Sequence, residues 1–175
     1  MGHETSDSAD DPVVIAGGER FEAFFRREYR RVLGLAFVLC GSHAVAEELT
    51  MDAFEAALRD WGRVGQFDSP GAWVRKVVSN SSTSRFRRKS AEARARLRLA
   101  GRGEPSVLDG SGDVEVWETV RRLPRRQAQA VALFYVEGYP RAEVARILEI
   151  SEESVKTHLE RARRQLEKEL GDARG

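Results

Sequence analysis

The stretch Ser151–Leu166, SEESVKTHLERARRQL, decides how the chain is interpreted. Its apolar residues recur at i, i+4, i+7 and i+11, which places them on one stripe of an α-helix. These residues are Val155, Leu159, Ala162 and Leu166. Ser151 is a favourable N-cap, and Glu152 and Glu153 follow where the helix dipole favours acids. The sequence therefore predicts a helix with one face in a core and a polar face directed outward.

A shorter helix is predicted directly upstream, over Arg141–Leu148, and about three residues separate it from the Ser151 cap. Two helices joined so tightly are typical of a helix-turn-helix, whose second helix enters the major groove of DNA. An ordinary helical hairpin is the alternative for this pair alone. The residues on the outward face and flanks of the second helix that could contact DNA are Lys156, Thr157, Glu160, Arg161, Arg163 and Arg164.

Charge is strongly segregated along the chain, although the net charge is only +1. Residues 1–19 carry five acids and no base, whereas residues 85–102 carry eight bases and one acid. Such a basic segment is typical of an element that binds nucleic-acid phosphates. A solvated, charged linker is the alternative interpretation.

Cysteine and histidine usage argues against a disulfide framework, a metal site and an enzyme. The single cysteine, Cys40, lies in an apolar run and is predicted to be buried. Cys40 and His43 could supply two metal ligands, but no other Cys or clustered His completes four. The sequence also has no Gly-rich phosphate loop and no nucleophile at motif spacing from a base. We therefore expect a non-enzymatic protein without metal or cofactor.

Hydropathy predicts a cytoplasmic protein. No apolar run approaches the roughly 20 residues needed to cross a bilayer, and no basic-then-apolar leader opens the sequence. Residues 1–18 are acidic and polar apart from one short apolar patch, and are predicted to be a disordered tail.

Helical spacing of apolar residues recurs along the chain, and no strand pattern is found. The first helices are predicted over Glu19–Cys40, over His43–Trp61, and from Pro70 through Phe86 into the basic segment, with Ser69 as N-cap of the third. The residues predicted to face inward on the second helix are Val45, Leu49, Ala53, Phe54, Ala57 and Leu58.

Residues 101–112 are rich in Gly, Pro, Ser and Asp and predict a flexible linker. A short helix ending near Leu123 follows, and then one from Pro124 to Gly138. The packing face predicted for the latter is Ala128, Val131, Ala132, Phe134 and Tyr135. The fold class is therefore all-α, with helical domains at 19–100 and 113–171 joined by the linker, the second a four-helix unit ending in the helix-turn-helix.

Three segments in order resemble the two-domain extracytoplasmic-function (ECF) sigma factors of bacterial RNA polymerase, particularly the actinobacterial kind. They are AEELTMDAF at Ala46–Phe54, FDSPGAWVRKVVSNSSTSRFRR at Phe67–Arg88, and the run Leu123–Leu166 that contains the helix-turn-helix. The resemblance covers nearly everything from Glu19 to Leu170 and includes a linker between the two parts.

The resemblance implies a sigma factor that brings RNA polymerase to promoters and reads their minus-10 and minus-35 elements. It implies as partners the core polymerase, through its clamp helices and flap, promoter DNA and an anti-sigma factor. The polymerase-binding residues it implies are Glu47, Glu48, Leu49, Asp52 and Phe54. For the minus-10 element it implies Phe67, Asn80, Arg85, Phe86, Arg87 and Arg88. For the minus-35 element it implies the six outward and flanking residues of the last helix that are named above.

Three departures from the family pattern stand out. Val45 and Met51 occupy positions where an acid and a Gln are common, and the segment after Asn80 is more polar than usual. Glu149 stands in the helix-turn-helix turn where glycine is usual; if φ is positive there, Glu costs about 1 kcal/mol.

Alternatives remain for the aromatic and amide residues and for the function. Phe67 and Phe86 could stack on unpaired bases or belong to a core, Trp73 is expected to be core, and Asn80 could be a surface residue. A one-component repressor or response-regulator output module would also end in a helix-turn-helix. Such proteins need a ligand pocket or a receiver domain in the first part, where this sequence has an acidic hairpin and an arginine-rich helix instead.

Overall fold

A computed structural model describes residues 19–82 and 113–172, with side chains over 19–82 and 116–171. Within these ranges every regular element is helical, as predicted. The predicted tail, the predicted linker and most of the basic segment, including Arg85, Phe86, Arg87 and Arg88, lie outside the described residues.

The first half consists of four helices: α1 (Phe21–Cys40), α2 (His43–Arg59), the short α3 (Trp61–Val64) and α4 (Pro70–Ser81). Gly41 ends α1 with φ of 72°, a left-handed conformation that glycine adopts without strain, and its N–H donates to the Phe37 carbonyl at 2.7 Å. Ser69 caps α4 as predicted, because its Oγ accepts from the Ala72 N–H at 3.2 Å.

An aromatic core holds α1, α2 and α3 together. Phe24 and Trp61 are buried with ring centroids 4.8 Å apart, and Phe25 meets the buried Phe54 edge-on at 4.9 Å. Such pairs add about 0.5–1.5 kcal/mol each beyond the area they bury. Cys40 is also buried, as predicted.

The second half contains α5 (Asp113–Arg122), α6 (Arg125–Val131), α7 (Arg141–Leu148) and α8 (Glu152–Asp172), and α6 continues into a π-helical turn over Ala132–Val136. Residues 149–151 separate α7 from α8. The predicted helix-turn-helix is therefore confirmed, including its three-residue turn.

Two predictions about individual residues are wrong. Leu58 is 47% exposed, because it lies on the same stripe of α2 as the exposed Met51 and Glu55. Tyr135 is 62% exposed and Leu133 is buried instead, because the i→i+5 bonding of the π-helical turn, seen from Glu137 N to Ala132 O at 3.2 Å, shifts the helical register.

The helix α4 ends at Ser81 instead of continuing to Phe86. Ser82 leaves the helical conformation with ψ of 28°, and its Oγ donates to the Ser79 carbonyl at 2.9 Å. Serine side chains compete in this way for backbone hydrogen bonds, which is why a serine run ends a helix readily.

The two halves share a core in which α1 is buried on two sides. Leu35, Val38 and Leu39 of α1 pack in one apolar cluster with residues of the second half, among them Leu133 and Val144. The other side of α1 packs against α2 and α4. This arrangement places α4 of the first half against α7 of the second.

None of the helices in the described ranges is long and apolar enough to cross a membrane. Residues 19–82 and 113–172 also contain no group of three or more His, Cys, Asp or Glu positioned to hold a metal ion.

Candidate nucleic-acid interface

The helix α8 presents its predicted polar face to solvent. Val155 and Ala162 are fully buried, whereas Glu160, Arg161 and Arg164 on the other side are exposed. Thr157 on the same face is half-buried. The predicted N-cap is confirmed, because Ser151 Oγ accepts from the Ser154 N–H at 3.1 Å. The start and the rotation of the helix are thus fixed by its own cap and core.

The cations of α8 fall into two groups. Those on the flanks have acidic neighbours: Lys156 Nζ lies 3.6 Å from a Glu153 carboxylate oxygen, and Arg163 Nε donates to Glu167 at 2.8 Å. Within the described part of the chain, Arg161 and Arg164 take part in no ion pair. The central guanidinium groups of this face are thus open to an external acceptor.

His158 lies half-buried beneath this cationic face. Burial lowers the pKa of His158, and the nearby positive charges of Arg161 and Arg126 lower it further. The imidazole is consequently neutral near pH 7, so it adds no charge to the outward face of α8.

The turn between α7 and α8 has a strained residue. Glu149 has φ of 55° and ψ of 48°, the left-handed region in which the sequence comparison with the family expected glycine. A non-glycine residue there costs roughly 1 kcal/mol. Its carboxylate lies 2.7 Å from Lys76 Nζ of α4. The strained residue of the second half thus makes an ion pair with the first.

The structure describes two of the residues predicted for the minus-10 element, Phe67 in the loop before α4 and Asn80 near the end of α4. Phe67 is 36% exposed, with the Arg63 guanidinium 5.6 Å from its ring centroid. Trp73 is half-buried against the first core, in agreement with the prediction. Asn80 is exposed at the far end of the helix. Phe67 and Asn80 are therefore both at the surface of the first half, but at opposite ends of α4.

This surface faces the second half. A cleft of about 410 Å³ separates Phe67, Trp73 and Lys76 from Glu143 and Arg146 of α7. At the C-terminal end of α4, Arg125 Nη2 donates to both the backbone carbonyl and the side-chain oxygen of Asn80, each at 3.3 Å. The Gln129 amide, buried nearby, donates to the Ser79 carbonyl.

The three acids predicted to form a face of α2 are at the surface, and the two apolar residues predicted to lie inward beside them are buried. Glu47, Glu48 and Asp52 are exposed, whereas Leu49 and Phe54 are 0% and 1% exposed. The two buried residues can position this face but cannot touch a partner while the core is intact.

Sequence reasoning missed two exposed apolar residues beside these acids. Met51 is 41% and Leu58 is 47% exposed, and their i, i+7 spacing places them on one stripe of α2. The signal that could have found them is the helical rotation from Glu48 and Glu55, which occupy the same stripe.

Comparisons with known proteins agree with this geometry. Residues 24–92 match the family model of Sigma-70 region 2, and residues 113–166 match that of Sigma-70, region 4. The ECF RNA polymerase sigma factor SigM of Mycobacterium tuberculosis H37Rv is 31% identical over 174 residues, which span 97% of this chain and 87% of SigM. The chain belongs to the ECF sigma-factor family.

A second sigma factor of this family, BldN of Streptomyces coelicolor, is 30% identical over 180 residues, with 97% of this chain and 66% of BldN covered. Among solved structures, the sigma factor RpoE of Bartonella quintana, in complex with the anti-sigma factor NepR, superposes with a TM-score of 0.67. Its identity is 22%, with 86% of this chain and 96% of RpoE covered, so this likeness shows a shared fold.

Membership decides between the functions left open by the sequence. The sigma factor confers promoter specificity on RNA polymerase, and the repressor and response-regulator alternatives are not favoured. Sigma factors are initiation factors that bind the polymerase and promoter DNA, and the family is not one of enzymes.

Proposed function

We propose that this sigma factor divides promoter recognition among three helices. The outward face of α8 contacts the minus-35 element, α4 with its preceding loop captures the minus-10 strand, and the acidic face of α2 binds the polymerase clamp helices. The observation that carries this assignment is the α8 face, where Arg161 and Arg164 are exposed, without ionic partners in the described part of the chain, on a helix fixed by its cap and core.

Side-chain chemistry assigns roles on α8. Arginine donates in bidentate fashion to guanine, and a carboxylate accepts from the cytosine amine, so Arg161, Arg164 and Glu160 are the candidates for base-edge contacts. Thr157 lies one turn nearer the helix start and can contact either kind of base edge. Lys156 and Arg163 on the flanks are expected to contact phosphates, which position a helix without specifying sequence.

The experiment is a promoter-binding selection with core polymerase and a library randomised over the minus-35 element. Arg161→Ala and Arg164→Ala should each lose about 1–3 kcal/mol of binding and relax preference at one base position. Lys168→Ala, which removes an exposed cation farther along α8, is the matched control and should relax no position. A uniform loss over all sequences would instead assign the arginine to a phosphate.

Strand capture at the minus-10 element requires groups that accept an unpaired base, because cations attract the phosphates of duplex and single strand alike. Phe67 offers an exposed ring for stacking, and Asn80 offers an amide for a base edge. The bonds from Arg125 show that the Asn80 oxygens are accessible to a donor from outside its own half. The basic segment with Arg85, Phe86, Arg87 and Arg88 is proposed to hold the strand's phosphates, with Phe86 as a second stacking candidate.

The polymerase contact combines charge with apolar surface. Glu47, Glu48 and Asp52 would meet basic residues of the clamp helices, and Met51 and Leu58 lie exposed beside them. Acidic rims raise association rates, while apolar residues that become buried contribute most of the affinity. Leu49 and Phe54 support this surface from the core.

Regulation by an anti-sigma factor is supported by the fold shared with RpoE of Bartonella quintana, which was solved with such a partner. A protein that acts on RNA polymerase and promoter DNA would work in the cytoplasm. Its proposed activity is binding alone, without catalysis and without metal or cofactor.

A further inference from the structure

The exposed side of α1 has a dense group of arginines that neither the core nor the proposed function uses. Its members are Arg26, Arg27, Arg30 and Arg31, all exposed, and we call this group the arginine face. Arg26 and Arg30 are four residues apart, as are Arg27 and Arg31, so like charges lie one turn apart and destabilise the helix. An anion bound between them would remove this repulsion.

Within residues 19–82 and 113–172, one of these arginines is neutralised and three are not. The Arg27 Nε donates to Glu28 at 2.9 Å, and its Nη1 donates to Glu19. The other three arginines take part in no ion pair in these ranges. Glu22, which lies one turn before Arg26, is exposed and makes no ion pair there either. The arginine face therefore has three positive charges that the described residues leave without an acid.

Gly34 leaves room for a second segment of chain beside these arginines. It follows Arg30 by one turn in the interior of α1, where glycine lowers helix stability relative to alanine. Apart from α1 itself, no atom of the described residues lies within 4 Å of the position that a Cβ would occupy there. Packing among the described residues thus gives no reason for the missing side chain, and the backbone of another segment can approach α1 closely at this point.

The segment that directly precedes α1 has the complementary charge. Residues 1–19 have five acids and no base, and the last of the five, Glu19, pairs with Arg27. The remaining acids are Glu4, Asp7, Asp10 and Asp11. Because these acids are joined through Glu19 to the face that they complement, their effective concentration beside it is on the order of millimolar.

The length of this segment allows its acids to reach the other arginines. Arg31 lies about 15 Å from the start of α1, since the helix rises about 1.5 Å per residue. The eight residues from Asp11 to Glu19 span up to about 26 Å when extended. Gly17 and Gly18 stand immediately before Glu19 and permit the reversal of direction that this path requires. The acids upstream of these glycines can therefore lie against the whole arginine face.

We propose that the acidic segment Glu4–Glu19 docks along the arginine face of α1 and shields it from other polyanions. The pair of Glu19 with Arg27 is the end of this contact that the structure describes. Exposed ion pairs are individually weak and are screened by salt, so the segment is displaced at high ionic strength. Duplex DNA, with one charge per about 1.7 Å, is the polyanion that a sigma factor meets. The segment thus keeps α1 from binding DNA non-specifically, at a site separate from those proposed for the promoter elements.

The test places a nitroxide spin label on Ser8→Cys of the full chain and records backbone amide signals by NMR. The native Cys40 is buried, so position 8 takes the label. The arginine variant combines Arg26→Gln, Arg30→Gln and Arg31→Gln. Its matched control removes three exposed positive charges outside α1. The substitutions of the control are Arg59→Gln, Arg122→Gln and Lys168→Gln.

We expect the label to broaden the amide signals of Arg26, Arg30 and Gly34 in the unmodified sequence and in the control, at about 50 mM salt. In the arginine variant the broadening should fall about fivefold, because three exposed ion pairs are removed. In the unmodified sequence it should disappear in about 1 M salt, where the Debye length is about 3 Å. Absence of broadening in the unmodified sequence, or equal broadening in the arginine variant and the control, overturns the docking.

Shielding is measured by titrating the full chain with random-sequence duplex DNA at the same low salt. A neutral-segment variant replaces four acids by amides, through Glu4→Gln, Asp7→Asn, Asp10→Asn and Asp11→Asn. It should bind this DNA about three- to tenfold more tightly than the unmodified sequence. In the arginine variant the same replacements should raise DNA affinity less than about twofold, which separates shielding from the general effect of losing four negative charges.

Equal gains from the neutral segment in the two backgrounds overturn the shielding. If the arginine substitutions also weaken DNA binding equally with the acidic and with the neutral segment, the arginine face binds DNA and not the segment.

Discussion

Two leucines on α2 provide a sharp test of which residues hold the fold and which bind the polymerase. Leu49 is fully buried and Leu58 is 47% exposed, although the two lie on the same helix. Truncating a fully buried leucine to alanine costs about 2–5 kcal/mol, because it removes apolar contacts and leaves a cavity. The same truncation at Leu58 should cost less than about 1 kcal/mol of unfolding free energy, since half of that side chain is already in water.

Polymerase binding should show the opposite order. Burying the exposed half of Leu58 against the clamp helices is worth roughly 1 kcal/mol, so Leu58→Ala should raise the Kd for core polymerase about fivefold. Leu49→Ala should leave Kd nearly unchanged under conditions where the variant is still folded. Urea unfolding followed by circular dichroism gives the first quantity, and titration of labelled sigma factor with core polymerase gives the second. Equal destabilisation by the two variants, or full polymerase affinity in Leu58→Ala, would refute this assignment of roles.

Two further predictions concern pH and promoter opening. The pKa of His158 is lowered in the folded state, so the imidazole of the unfolded chain becomes protonated at a higher pH than that of the folded chain. Above about pH 6.5 His158 is neutral in both states, and its protonation does not reduce the free energy of unfolding. As the pH falls from there through the lowered pKa, the free energy of unfolding decreases. Urea unfolding at pH 7.5 and 5.5 should therefore show a smaller loss for His158→Gln than for the unmodified chain, and an identical loss would contradict it. Phe67→Ala and Asn80→Ala should preserve closed-complex binding by holoenzyme but reduce permanganate-reactive open complex, whereas Arg87→Ala with Arg88→Ala should weaken both. If a pre-melted minus-10 bubble rescues the Asn80 variant no better than the arginine variant, Asn80 has no specific part in opening.

The parts of the fold that follow from local chemistry could be predicted from the sequence. The helix α8 has a serine cap, acids in its first turn and a regular apolar stripe, and all three act within a few residues of one another. The exposure of Tyr135 could not be predicted, because it depends on a π-helical turn that changes the register after Val131. A prediction of the buried face from apolar spacing assumes that the helix keeps one register throughout.

The sequence of α1 has more apolar residues near its C-terminal end than the packing of one helix face requires. From Leu33 to Cys40 every residue except Gly34 is apolar, which is more than one buried face requires. The structure supplies the reason, since α1 packs against both halves. Arg75 carries no comparable signal, because its partners Glu28 and Glu137 lie 47 and 62 residues away along the chain.

The two proposed DNA-binding surfaces differ in their contacts with the rest of the protein. The α8 face with Arg161 and Arg164 is exposed, whereas Asn80 and Lys76 of α4 contact Arg125 and Glu149 of the second half. A strand that binds Asn80 and Lys76 as proposed must displace the Arg125 guanidinium and the Glu149 carboxylate from them. We therefore expect minus-10 binding to lose affinity to these two contacts, whereas minus-35 DNA that binds Arg161 and Arg164 displaces no ion pair within the described part of the chain.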